Sequence, residues 1–303
     1  MLSSRGGPRV ETPMTTAKKV ETVLPSPPIH WVGDGFPVSS VLSPQSVRNR
    51  LSPFILMDYA GPARFEPSKQ PRGVDTHPHR GFEAVTVVYQ GELEHRDSSG
   101  NSGSIGPGDV QWMTAASGVL HEEKHSREFT RQGGVLEMAQ LWVNLPAKHK
   151  MTSPRYQELG CDAIPTVALP DDAGTARIIA GDFNRTPGAA KTVTPVILWD
   201  VRLRQGATAR LPVPEGFNSA VFVRRGSAWI GETRSTMSRQ LALLETAGDG
   251  VIVQSEEDSE FLIVGGEPIN EPVVAYGPFV MNTQQEIQQA IEDVRAGKLG
   301  QPD

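Results

Sequence analysis

The chain has 303 residues, a net charge of −6, 30 glycines, 25 prolines and a single cysteine, with a pI near 5.7. Its acidity, with no Lys/Arg cluster longer than a pair, gives no footprint for direct DNA or RNA binding. The lone Cys161 excludes both an internal disulfide framework and a metal site built on several thiolates.

In chain order, residues 1–28 are polar, rich in Thr, Pro and Lys, and lack periodicity, so a loosely ordered arm is expected there. They contain no apolar core of a signal peptide, and nowhere do enough apolar residues run together for a membrane span. A reduced, cytoplasmic setting without membrane contact is expected. From Trp31 onward the segments "SPFILMDYAGP", "EAVTVVYQGELEHRD", "SGSIGPGDVQWMTA" and "EMAQLWVNLP" are short, rich in β-branched and aromatic residues, and bounded by Gly, Asp, Asn or Pro. That pattern predicts strands joined by turns and an all-β protein. In the second half, "VFVRRGSAWIG" followed by "LALLETAGDGVIVQ" repeats the same plan: a strand ending in glycine, a hairpin, then a Gly-Asp turn into another strand. Two β-domains in tandem follow, at residues 29–165 and 166–303. Near the C-terminus, Thr283 and Glu286 form a capping-box pattern, and Ile287, Ala290, Ile291 and Val294 recur at helical spacing before Gly297. An amphipathic helix packed across a sheet or onto the partner domain is predicted.

Chemistry concentrates in "DTHPHRGFE", residues 75–83. On a strand, His77 and His79 project to one face, and in "GVLHEEKHS" His121 and Glu123 share that i, i+2 relation. A single pair of nearby histidines is commonly just a hydrogen-bonded pair. Two such pairs on strands of one barrel could aim three imidazoles and a carboxylate at one point. That donor set suits a divalent iron, manganese, nickel, copper or zinc ion. All seven histidines lie at or before residue 149, so the second domain cannot duplicate the site. Glu83 is expected to hydrogen-bond a ligand imidazole, Trp112 and Met113 are candidates for a pocket wall, and His95 and His125 are expected at the surface or rim.

The stretches "HPHRGFEAVTVVYQGELEHRDSSGNSGSIGPGDVQWMTAASGVLHEE" and "GEPINEPVVAYGPFVMNTQQEIQQAIEDVRAGKLG" resemble the two signature segments of the pirin family, within the cupin superfamily. The resemblance implies a bicupin: two antiparallel β-barrels face to face, the first holding one iron ion, with a C-terminal helix. Position by position it implies His77, His79, His121 and Glu123 as ligands. Pirin-family members are known for quercetin 2,3-dioxygenase activity, in which O2 opens a flavonol ring with loss of carbon monoxide, so a flavonol or related aromatic enol is the implied substrate. The family is also described as an iron-dependent regulator acting through protein partners, as a transcription cofactor or a modulator of metabolic enzymes. Three neutral imidazoles and one carboxylate leave a net charge of +1 on a divalent ion, which favours an anionic enolate or phenolate oxygen. Glu123 is then both ligand and candidate base. Where the family usually has Ala-Gly-Arg-Gly before the second ligand pair, this chain has Ala115, Ala116, Ser117 and Gly118. Two barrels in one chain imitate the dimer of single-domain cupins, so a monomer is expected.

Overall fold

Strands of two to twelve residues, separated by turns with glycine in the left-handed region at Gly91, Gly108 and Gly226, collapse here because the longer ones present an apolar face every second residue. The computed structural model describes residues 14–43, 49–235 and 237–302. Among them, two seven-stranded and two four-stranded sheets account for the main body, and every strand pairing is antiparallel. Each barrel combines one sheet of either size. Val85, Val87, Trp112, Leu141 and Val143 of the first large sheet and Leu198, Phe222, Leu243, Leu262 and Val264 of the second share one buried core between the barrels. Glu137, fully buried, ties them together: it accepts from Tyr59 Oη at 2.6 Å and pairs with Arg224 and Arg225 of the second barrel.

Both ends of the chain cross to the other barrel. Residues 1–13 of the expected loose arm lie outside the described residues. The rest of that arm is not loose: Val20–Leu24 pairs with Gln240–Leu244 as the edge strand of the second large sheet. Lys18 buries its ammonium against the Thr246 carbonyl at 2.7 Å, and Asp249 accepts from the backbone N–H groups of Thr15 and Thr16. Low hydrophobicity gave no hint of this, because the edge is held by backbone bonds and one cap rather than by a large apolar face. In return, the hairpin Val274–Met281 and the helix Gln284–Arg295 lie against the first barrel, joined by the Arg80–Asp293 ion pair at 2.9 Å. The helix begins with the predicted capping box at Thr283 and Glu286, and buries Ile287 and Ala290 on the hairpin. Among the described residues no helix is long and apolar enough to cross a membrane.

Candidate metal centre

The strand Gly73–His79 pairs with Val119–His125, and the register places His77 directly opposite His121. Between His121 and Glu123 the pairing shifts, with Glu123 opposite Val74. Two steps on one strand thus match three on the other, a bulge of the kind found beside sites that must aim side chains inward. His77 Nε2 lies 3.1 Å from His79 Nε2 and 2.9 Å from His121 Nε2, so three imidazoles converge inside the first barrel. His77 Nδ1 donates to the Asp75 carbonyl at 2.9 Å, which turns its Nε2 toward the other two rings. Burial, reinforced by the neighbouring imidazoles, pushes His79 and His121 well below the usual histidine range; for His79 the Pro278 backbone opposes the shift. Both rings are therefore neutral at physiological pH, the form that ligates a metal.

Glu123 sits beside this trio rather than inside it. Its oxygens accept from Gln140 Nε2 at 2.8 Å, Thr86 Oγ1 at 3.3 Å and Gln111 Nε2 at 3.4 Å, and it forms a second convergent group with His121 and His95. His77, His79 and Glu123 nevertheless line one cavity of about 310 Å³. Its walls are mainly apolar, with Phe36, Val38, Leu56, Met138 and Trp142, and its polar rim adds Asp58 and Gln140. Burial raises the Asp58 carboxyl above its usual value, against the pull of the Ser40 hydroxyl and the charge of His30. Trp142 stacks on Phe82 with ring centres 4.2 Å apart and meets His79 edge-on, which fixes the imidazole from behind. Such a slot suits a flat aromatic molecule with a few oxygen functions.

Several sequence expectations need correction. Glu83 makes no bond to an imidazole; it is fully buried on the opposite face of its strand, where Thr114 Oγ1 donates to it at 2.7 Å. Along Phe82–Gln90, the even positions Phe82, Ala84 and Thr86 face the barrel interior, while Glu83, Val85 and Val87 face the second barrel. Four residues would keep one face along a single strand, but the chain turns at Arg80–Gly81 between Gly73–His79 and Phe82–Gln90, and on the second strand Glu83 takes the outward parity. Burial pushes its carboxyl up, opposed by that hydroxyl. Trp112 fails for the same reason and belongs to the core between the barrels; Met113 has the inward parity but packs against Phe82 and Val280 without lining the cavity. His95 and His125 are not at the surface. His95 is buried, with Nε2 at 3.3 Å from Asp97 Oδ2, and His125 is buried among Phe36, Phe65 and Phe129 with Nε2 donating to the Gly35 carbonyl at 3.0 Å. Gln111, one residue before Trp112, and Gln140, two before Trp142, are the polar residues that sequence reading passed over; strand parity relative to the histidines could have found the first.

The C-terminal segment closes this end of the barrel. Pro278 lines the cavity, and Lys150, buried, donates to the carbonyls of Gly81 and Val280 and to Asn144 Oδ1, all at 2.6–2.7 Å. Arg80, next to His79, bonds the Ser117 carbonyl at 2.7 Å besides its pair with Asp293. Ala116 occupies the left-handed region at φ +44°, where its carbonyl accepts from Gly81 N at 2.8 Å.

With this geometry in view, likeness to known proteins is informative. Residues 35–143 match the Pirin family and residues 198–300 match the family of Pirin C-terminal cupin domains. A Pseudomonas aeruginosa protein that carries the name of a candidate quercetin 2,3-dioxygenase is 52% identical over 282 residues, covering 93% of this chain and 98% of its own. Human pirin is 38% identical over 255 residues, covering 82% of this chain and 83% of its own. A crystal structure of quercetin 2,3-dioxygenase from Acinetobacter baumannii superposes with a TM-score of 0.92 at 47% identity, covering 94% of this chain and 99% of that one.

Proposed function

The chain belongs to the pirin family, and from that premise we propose that it is a metal-dependent dioxygenase of the quercetin 2,3-dioxygenase type, acting on a flavonol or a related aromatic enol with O2. The convergence of His79 and His121 on His77, at 3.1 Å and 2.9 Å, beside an apolar cavity that His77, His79 and Glu123 line carries this reading. The residues fit a divalent ion: three imidazole nitrogens, two of them on buried rings whose charged form burial disfavours, converge within reach of one point. His77, His79 and His121 would be three ligands, with Glu123 the fourth. Iron bound there would supply Lewis acidity toward an enolate oxygen and redox access to O2.

The chain's own groups account for the rest. Phe36, Leu56, Met138 and Trp142 exclude water and give the flat faces of an aromatic substrate a surface to lie on. Glu123 is the base that takes the proton of the 3-hydroxyl, and the Gln140, Thr86 and Gln111 donors hold its carboxylate facing the cavity. Asp58, directly across from Gln140 on the neighbouring strand and raised by burial, offers a carboxyl to a substrate hydroxyl.

Anaerobic purification, metal reconstitution and a quercetin absorbance assay in air test the reading. The expected result is loss of flavonol absorbance in proportion to bound metal, with carbon monoxide released. Absence of turnover with iron, manganese, nickel, copper and zinc alike would refute it. Retention of both metal and full turnover in Glu123→Gln would refute the assignment of the base alone.

A further inference from the structure

We propose that Asp97 and His95 act as a relay that fixes the tautomer of His121, so that its Nε2 faces the centre without a proton. The chain of bonds starts in a turn. Asp97 Oδ1 accepts from the backbone N–H groups of Ser99 at 2.8 Å and Asn101 at 3.1 Å, and the Asn101 side chain bonds both carboxylate oxygens. An ionised carboxylate only accepts, so His95 Nε2, 3.3 Å from Asp97 Oδ2, carries the hydrogen. The proposed relay has a single N–H on the His95 ring, directed at Asp97, with His95 Nδ1 as the acceptor. It lies 3.3 Å from His121 Nδ1, and Gln111 Nε2 also reaches it at 3.4 Å. In the relay His121 Nδ1 donates to His95 Nδ1, which leaves His121 Nε2, 2.9 Å from His77 Nε2, bare.

His95 is thereby a positioning residue and not a fourth ligand, although it converges with His121 and Glu123. Both of its nitrogens are committed, one to Asp97 and one to His121. Tyr156 stacks flat on the ring, with centres 5.0 Å apart and planes 10° from parallel, and its hydroxyl donates to Gln111 Oε1 at 3.4 Å, which turns the amide nitrogen toward His95 and Glu123. One network thus orients both halves of the second ligand pair. Its consequence for metal affinity rests on the metal-centre reading above; the tautomer itself does not.

The test uses the full chain. Long-range 1H–15N correlation spectra of the metal-free protein assign the His121 tautomer, and titration with zinc alone gives the affinity. The wild type and His95→Gln, whose amide can accept from His121 and donate to Asp97, should show His121 protonated at Nδ1. Asp97→Asn keeps an Oδ1 acceptor for the turn but places a donor against His95. His95→Phe keeps the ring on Tyr156 but removes the acceptor. Both should shift His121 toward the Nε2–H form and weaken zinc about 10- to 100-fold, as loss of the partner of a metal-ligating histidine does. An Nε2–H wild type, or unchanged tautomer and affinity in both Asp97→Asn and His95→Phe, would overturn the relay. A wild type with the expected tautomer that takes up no zinc would leave the relay standing and remove the metal reading.

Discussion

The two barrels share one plan and differ in what fills them. The second is packed with hydrocarbon: Ile178, Trp199, Val201, Phe261 and Ile263 occupy its interior. The first buries Thr86, His79, His95, Gln111, His121 and Glu123 in the corresponding space. Burying a large apolar side chain contributes roughly 1.5–3 kcal/mol. A buried polar group contributes little even when fully bonded, and costs when it is not. The second barrel can therefore be read as the stabilising partner of a first barrel whose interior is largely polar. The shared apolar layer between the large sheets, and the exchange of chain ends across it, transmit that support.

That contrast can be broken from either side. Trp199→Ala removes the largest side chain of the filled barrel and should cost about 3–5 kcal/mol of stability, read by thermal or urea unfolding, while the metal content of chains that remain folded is unchanged. His121→Leu makes the hollow barrel more like the filled one. Metal uptake should vanish, yet unfolding of the metal-free chain should shift by less than about 1.5 kcal/mol, because an apolar side chain replaces a crowded polar one. Ala116→Gly relieves a left-handed alanine in the loop before the second ligand pair and should stabilise by about 1 kcal/mol. The smallest effect belongs to Glu83→Gln. Since Glu83 faces the second barrel, metal affinity should stay well clear of the roughly 10- to 100-fold loss typical when a ligand's partner is removed; a loss of that size would return Glu83 to the centre.

Much of this was legible in the sequence, for local reasons. Period-two alternation and glycine punctuation marked the strands, the capping box marked the helix, and i, i+2 spacing marked His77, His79, His121 and Glu123 as two inward-facing pairs. What was not legible depends on parity between strands and on long-range packing. Glu83 and Trp112 sit close to the candidate ligands in sequence but on the outward parity of their own strands, so they point into the layer between the barrels. His95 follows a polar segment that resembles surface, and only its pairing across to His121–Glu123 reveals it as interior. The edge strand Val20–Leu24 gains its place from backbone bonds to a partner some 220 residues further on, which no local pattern encodes.

The central claim is that one divalent ion sits on the three imidazoles with Glu123 completing the set. Anomalous diffraction from crystals of the iron-loaded protein tests it most directly. The account predicts a single peak bounded by the Nε2 atoms of His77, His79 and His121, with a Glu123 oxygen swung to about 2.0–2.2 Å from it. A peak elsewhere, or Glu123 still bonded to Gln140 and Thr86 away from the ion, would contradict it.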